Sequence, residues 1–149
     1  MTKILFVCHG NICRSPMAEF VMKDLAAKAG RSDEFEIASA AVSREEIGSG
    51  VHHGTRRKLA QYGISCAGKT ARQVTAADYD HYDLLIVMDR DNLRRLERIC
   101  GEDREGKMFL LLDFTSRAGC EVADPWYTGN FDDTYRDVLE GCEALLAQY

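Results

Sequence analysis

The sequence predicts an α/β fold: a single three-layer domain over residues 1–149, built on a four-stranded parallel sheet in the order 2-1-3-4 with helices on both faces. Three observations predict it. Short apolar runs alternate along the chain with segments of helical periodicity. The runs are apolar at consecutive positions, as is typical of parallel strands buried on both faces. With 149 residues and 46% hydrophobic content, the chain can build one core.

Four short segments are predicted as strands, and the first of them, Lys3 to Cys8, is a continuous apolar run rich in β-formers. They cover residues 3–8, 35–40, 84–88 and 108–112. In such a sheet, right-handed crossovers bring functional groups to the carboxyl ends of the strands. Cys8 closes the first run, so we expect it at that edge of the sheet.

Four segments with apolar residues three or four positions apart are predicted as helices. The first has Ser15 as its N-cap and Pro16 in its first turn, and it ends at Gly30. An irregular stretch over about 113–133 separates the last strand from the last helix. The other helices are predicted at 56–62, at 92–99 behind a cap at Asp89 or Asp91, and at 135–146.

Composition and charge exclude several functions. A net charge of −5 argues against nucleic-acid binding, which needs a basic face. No apolar run approaches the ~18 residues of a membrane helix, so no membrane partner is expected. The opening apolar stretch is too short for a signal-peptide core, and the six cysteines are scattered, so we expect a mature N-terminus in the reducing cytoplasm. The histidines lack companions at metal-ligand spacing, so neither a metal nor a cofactor is expected.

The segment CHGNICRS, residues 8–15, lies between the first predicted strand and the first predicted helix. Free backbone N–H groups at a helix start bind anions, and Gly10 and Asn11 tolerate the positive φ that a tight curl needs. Arg14 adds a guanidinium fork matched to two phosphate oxygens. The same positive surroundings should hold Cys8 as a nucleophilic thiolate, to which Ser15 can donate a hydrogen bond.

The spacing C-x5-R is weak by itself, because Cys66 and Arg72 repeat it. That second copy follows no buried strand and lacks the Asn and the Ser, so we interpret it as coincidence. A nucleophile that attacks phosphorus also needs an acid for the leaving oxygen. The segment DPWYTG offers Asp124, presented on an extended backbone by the following proline, and Trp126 and Tyr127 as an apolar wall for an aryl group.

Together, VCHGNICRSPMAE and ADPWYTG resemble the low-molecular-weight protein tyrosine phosphatase family, and the likeness spans nearly the whole chain. The resemblance implies a two-step reaction without metal on a phosphotyrosine protein or small aryl phosphate, with inorganic phosphate as product. Cys8 attacks and forms a phosphocysteine, Asp124 serves as acid and then base, and Arg14 stabilises the transition state with the loop amides. Those amides belong to the phosphate-binding residues His9, Gly10, Asn11, Ile12, Cys13 and Arg14.

The resemblance also assigns supporting roles. It implies that Asn11 organises the loop, that Ser39 supplies a supporting hydroxyl, and that Cys13 can trap oxidised Cys8 as a reversible disulfide, a redox switch. Two departures stand out. Lys69 occupies roughly the place of a common histidine, and the segment 44–46 (Arg-Glu-Glu) replaces a frequent aromatic residue, which should alter substrate preference.

Three alternative functions compete with this hypothesis. A protein-arginine phosphatase shares the loop, but Ile12 stands where that subfamily typically has Thr, and its apolar side chain suits the wall of a pocket for an aromatic ring. A non-catalytic phosphate-binding module needs neither a nucleophile nor an acid. An arsenate reductase needs a relay of cysteines, and no close-spaced pair occurs among the remaining four, Cys66, Cys100, Cys120 and Cys142.

Overall fold

A computed structural model describes residues 1–149 and contains one four-stranded parallel sheet in the order β2-β1-β3-β4. This arrangement confirms the predicted fold class and strand order. β1 lies inside the sheet between two partners, and its residues Ile4 to Val7 are wholly buried. The strands are β1 (Thr2–Cys8), β2 (Phe35–Ala41), β3 (Leu84–Val87) and β4 (Met108–Leu110).

Six helices cover the two faces of the sheet. On one face, Ile4 and Phe6 pack in a cluster with residues of α1 and α6, and on the other face Leu5 and Val7 pack with residues of α3 and α4. None of the helices is both long and apolar enough to span a bilayer. They are α1 (Arg14–Lys28), α2 (His53–Ala60), α3 (Ala76–His81), α4 (Arg90–Cys100), α5 (Pro125–Thr128) and α6 (Phe131–Gln148).

The start of α1 differs from its prediction. Cys13, with no side-chain cap bond, is the N-cap residue, and Ser15 lies inside the first turn rather than capping it. The reason is that the preceding loop delivers Arg14 directly into helical geometry. Ser15 is therefore free to bond to other side chains, and Pro16 still falls in the first turn, where a missing N–H costs nothing.

Other element boundaries differ from their predictions because side chains cap the backbone locally. α2 starts at His53 instead of residue 56, since the His52 ring accepts a bond from the Gly54 N–H. The fourth strand ends at Leu110, where Asp113 accepts the Leu110 N–H and turns the chain into a 3-10 helix. β3 ends one residue early, at Val87.

The stretch predicted as irregular is more ordered than its composition suggested. It contains α5 and the first turn of α6, with Asp124 and Asn130 as their caps. α3 was not predicted, and it begins in a capping box formed by Thr75 and Asp78. Both short helices depend on caps rather than on apolar periodicity, so a periodicity argument misses them.

Candidate active site

The segment from Cys8 to Arg14 curls at the carboxyl edge of the sheet, between the end of β1 and the start of α1. Asn11 makes the turn with φ 59°, the one positive φ outside glycine in the protein. The curl borders a cavity of about 560 Å³. The lining includes Cys8, His9, Gly10, Ile12, Cys13 and Arg14 from the loop, and Asp124, Trp126 and Tyr127 from the segment at the start of α5.

The carbonyl groups of this loop point away from its centre. Those of Cys8 and His9 accept N–H groups from Val42 and Ser43, and that of Ile12 accepts the His52 N–H at 2.8 Å. The Cys13 carbonyl accepts the Thr55 hydroxyl at 3.2 Å. With the carbonyls turned outward, the N–H groups of residues 9–14 donate to no acceptor of the protein. Six consecutive free donors in a curled loop at a helix N-terminus are the groups from which an anion-binding nest is made.

The donor and the acceptor of each hydrogen bond beside Cys8 can be assigned. Asn11 Nδ2 donates to both Ser15 Oγ (2.8 Å) and Ser39 Oγ (2.9 Å). Asn11 Oδ1 accepts the Arg72 N–H at 3.2 Å, so the amide orientation is determined. Since Ser15 Oγ accepts from Asn11, its own proton is free to point at Cys8 Sγ, 3.0 Å away. A hydroxyl that donates to the sulfur favours the thiolate over the thiol.

Glu19 continues this chain of bonds into the protein and was not predicted. Its carboxylate, buried on α1, accepts the Ser39 hydroxyl at 2.5 Å and the Lys23 ammonium at 2.6 Å. Lys69 Nζ lies 3.5 Å from the same carboxylate and donates to the Ser39 carbonyl at 2.8 Å. Burial lowers the pKa of Lys69, and the Glu19 charge opposes that shift.

Lys69 therefore supports the loop indirectly. Its contacts are with Ser39 and Glu19 rather than with Ser15 or Asn11. It holds the backbone and the carboxylate that orient Ser39, and Ser39 in turn accepts from Asn11. No sequence pattern marks Glu19, because its burial depends on groups from β2 and from the loop of Lys69. The local signals are an acidic residue inside a stretch of small and apolar side chains and the i,i+4 partner Lys23 on the same helix.

Arg14 is almost fully buried, and its terminal nitrogens bind at the cavity edge. Nη1 donates to the Val122 carbonyl at 3.0 Å, and Nη2 lies 2.9 Å from Asp89 and 3.3 Å from Asp124. Asp89 was predicted only as a cap of α4. It performs that role with Oδ1, which accepts the Asn92 N–H, while Oδ2 faces Arg14. Its position just after β3, at the same sheet edge as Cys8, was the available signal.

Asp124 enters the cavity from the loop before α5. Its Oδ1 caps that helix by accepting the Trp126 N–H at 3.0 Å, and Oδ2 contacts Arg14. The two aromatic side chains that follow are largely exposed, Trp126 at 66% and Tyr127 at 85%. Both side chains line the cavity, and so does Ile12 from the loop.

Cys13 shares the cavity with Cys8. Burial, together with the negative charges of Cys8 and Asp124, raises the pKa of Cys13 to about 12. Cys13 is therefore a thiol at neutral pH. The other four cysteines do not line the cavity: Cys142 bonds to a carbonyl in the core, and Cys100 to the Thr75 carbonyl.

The second C-x5-R pair is separated in the fold. Arg72 Nη1 and Nη2 bind the two oxygens of Asp78 at 2.9 and 3.2 Å. Cys66 lies in the hydrophobic cluster of α1 and α6. In the segment that departs from the family pattern, Glu45 binds the ring of His9 at 3.1 Å, and Glu46 lies beside Gly10.

Comparison with known proteins decides the family. The sequence model described as low molecular weight phosphotyrosine protein phosphatase matches residues 3–149. The chain belongs to this family. The resemblance drawn from the two motifs is thereby confirmed.

Several relatives of this phosphatase chain are similar over nearly their full length. The low molecular weight protein-tyrosine-phosphatase YfkJ of Bacillus subtilis is 43% identical over 148 residues, covering 99% of this chain and 95% of YfkJ. The crystal structure of YfkJ matches with a TM-score of 0.95, covering 99% of this chain and 94% of that one. The structure of DARP, a Drosophila arginine phosphatase, is 30% identical with a TM-score of 0.87, covering 99% of this chain and 98% of that one.

Proposed function

We propose that residues 1–149 form a protein tyrosine phosphatase domain that hydrolyses phosphotyrosine in proteins, or small aryl phosphates, through a phosphocysteine intermediate, and releases inorganic phosphate. One observation carries this proposal: the six consecutive backbone N–H groups of residues 9–14, in the loop that curls from Cys8 to Arg14, have no acceptor in the protein. They match the oxygens of a phosphoryl group, and the nearby hydroxyl of Ser15 favours the thiolate that attacks it.

In the first step, the Cys8 thiolate attacks phosphorus while the bond from phosphorus to the tyrosine oxygen breaks. Asp124 gives its proton to that oxygen, so the leaving group departs as a neutral phenol. The N–H groups of the loop and the guanidinium of Arg14 stabilise the charge on the equatorial oxygens. Family membership and the presence of Cys8 and Asp124 in the lining of the same cavity support these roles.

In the second step, water attacks the phosphocysteine and Asp124 takes its proton. The bond from sulfur to phosphorus breaks, phosphate leaves, and the Cys8 thiolate is restored. The hydrogen bond from Ser15 stabilises the departing sulfur, and Asn11 keeps that hydroxyl aimed. The chemistry uses only groups of the chain, and dialysis against a chelator is expected to leave the rate unchanged.

The aromatic walls support an aryl substrate. Trp126 and Tyr127, which follow Asp124, are largely exposed and line the cavity. Ile12 adds an apolar side chain to the same lining. Burying part of these rings against a substrate ring gains free energy at about 25 cal/mol per Å² of apolar surface. Phosphoserine has no ring to offer, so we expect it to be a poor substrate.

Replacing Asp124 by Ala should slow hydrolysis most for substrates with poor leaving groups. Without the acid, phenol must leave as an anion, whereas p-nitrophenolate is already stable near neutral pH. We expect a loss of about 10²–10⁴-fold for phenyl phosphate and a much smaller loss for p-nitrophenyl phosphate. Steady-state kcat/KM on a series of aryl phosphates measures this, because kcat/KM covers only the steps up to the phosphocysteine, in which the phenol departs. Equal loss of kcat/KM across the series removes Asp124 from the acid role.

A protein-arginine phosphatase is the second candidate, favoured by the structural similarity to the Drosophila enzyme. Parallel assays on phosphotyrosine, phosphoarginine, phosphoserine and arsenate separate the possibilities. The proposed function predicts the largest kcat/KM for phosphotyrosine. A larger value for phosphoarginine overturns it in favour of the alternative. Arsenate reduction is expected to be absent, since the cavity holds no cysteine beyond Cys8 and Cys13.

We also propose that the enzyme is cytoplasmic and redox-regulated. All six cysteines are free, which fits a reducing compartment. Peroxide would convert the Cys8 thiolate to a sulfenic acid and itself be reduced to hydroxide. The Cys13 thiol would then condense with it, forming the Cys8–Cys13 disulfide and releasing water.

Mild peroxide is therefore expected to remove activity, and a dithiol to restore it. A Cys13→Ser variant should lose activity under peroxide without full recovery, because Cys8 then proceeds to irreversible acids. Peptide mapping by mass spectrometry follows the link. Recovery in Cys13→Ser equal to that of the wild type, or no Cys8–Cys13 peptide, contradicts the switch.

A further inference from the structure

The two residues before Asp124 have all four of their backbone polar groups bonded to the body of the protein. The Val122 N–H donates to the Met88 carbonyl at 2.9 Å, and the Val122 carbonyl accepts from Arg14 at 3.0 Å. The Ala123 carbonyl accepts the Thr134 hydroxyl at 2.8 Å, and the Ala123 N–H donates to Asp137 at 3.4 Å. Helix α6 thus holds Ala123, the residue next to the proposed acid, on both sides.

The α6 groups that make these bonds are themselves held in place. Thr134 is completely buried. Asp137 is clamped by Arg117, whose Nη2 lies 2.6 Å from it and 2.6 Å from Glu140. The two α6 side chains that bond to Ala123 are therefore held in place themselves, Thr134 by burial and Asp137 by its ion pair.

The residues that follow Asp124 give its backbone less support than the bonds between Ala123 and α6. Trp126 and Tyr127 are mostly exposed, and α5 is only four residues long. An acid must keep its oxygen within hydrogen-bond reach of the leaving group, and small displacements are costly to the rate. The Asp124 carboxyl is oriented by Arg14 and the Trp126 N–H, and the backbone that carries it is fixed on the upstream side by the bonds of Ala123 to α6.

We infer that Thr134 and Asp137 are positioning residues that set the reach of Asp124 by holding the Ala123 peptide groups. The inference rests on the proposed function, in which Asp124 is the acid. A valine at position 134 keeps the shape and burial of the side chain but leaves the Ala123 carbonyl without its donor. We expect this change to displace the Asp124 carboxyl and to leave Cys8 and the backbone of the phosphate loop in place.

The test compares Thr134→Val with Thr134→Ser on phenyl phosphate and p-nitrophenyl phosphate. We expect Thr134→Val to lower kcat/KM about tenfold on phenyl phosphate and less than about twofold on p-nitrophenyl phosphate, as partial loss of acid catalysis in the first step requires. Thr134→Ser should restore the wild-type ratio because it keeps the hydroxyl. Arg136→Ala, on the exposed side of α6, is the matched control and should leave both rates unchanged.

A second variant and a double variant complete the test. Asp137→Ala acts on the other backbone group of the same residue, the Ala123 N–H, and should show the same dependence on leaving group, also if Thr134→Val does not fold. In an Asp124→Ala background, Thr134→Val should cause no further slowing. Further slowing there, or equal slowing on both substrates in the single variants, overturns the inference. If Asp124→Ala itself lacks the leaving-group dependence, the assigned acid is wrong and the inference falls with it. If Asp124→Ala shows that dependence and Thr134→Val does not, only the inference fails.

Discussion

Replacing Cys8 by Ser is expected to abolish turnover while phosphate and vanadate still bind. A serine hydroxyl is a far weaker nucleophile than a thiolate, and the neighbouring Ser15 hydroxyl, which accepts from Asn11, is placed to donate to position 8 rather than to take a proton from it. The anion site persists, since its donors are backbone N–H groups of residues 9–14. Residual kcat should fall below about one hundredth of the wild-type value.

Rates on p-nitrophenyl phosphate and calorimetric binding of phosphate test this pair of expectations. Cys120→Ser is the matched control, because Cys120 is exposed and lies outside the cavity. It should keep wild-type activity. A Cys8→Ser enzyme that retains more than about one hundredth of the rate contradicts covalent catalysis by Cys8.

Replacing Arg14 by Lys should lower kcat by about 10²–10³-fold, the loss typical of removing one strong transition-state donor. Lysine keeps the charge but loses the planar fork that matches two phosphoryl oxygens. It also cannot reach the Val122 carbonyl, Asp89 and Asp124 together, so it leaves part of this buried set unpartnered. We therefore expect weaker phosphate inhibition as well as a slower reaction.

Kinetics with phosphate as a competitive inhibitor measure both effects. Arg94→Lys makes the same chemical change on the exposed surface of α4 and should be silent. A fall in kcat of less than about tenfold in Arg14→Lys would show that charge alone suffices and that the fork geometry is unimportant.

The parts of the site that the sequence predicted are those in which neighbours in the chain are neighbours in space. The loop from Cys8 to Ser15 joins one strand to the next helix, and its anion-binding groups are its own backbone. Asp124 was predictable because the following proline and aromatic residues belong to the same short segment. Consecutive apolar runs were enough for the parallel sheet, since burial on both faces leaves no polar alternation.

Glu19 and Asp89 escaped prediction for a different physical reason. A buried carboxylate is stable only when partners are brought to it, and the partners of Glu19 come from β2 and from Lys69, far along the chain. Asp89 looked like a helix cap because its Oδ1 is one, whereas its second oxygen meets Arg14 only after β1 and β3 have paired.

Local patterns in the chain were thus sufficient for the layered architecture and for the curled loop with its nucleophile, because strand burial and helix-start anion binding act over a few adjacent residues. Folding alone decided how the nucleophile is aimed and how the acid is held. The bonds of Asn11 to Ser39 and of Thr134 to Ala123 join separate elements. Such bonds are set by how helices pack on the sheet, and no run of adjacent residues encodes that packing.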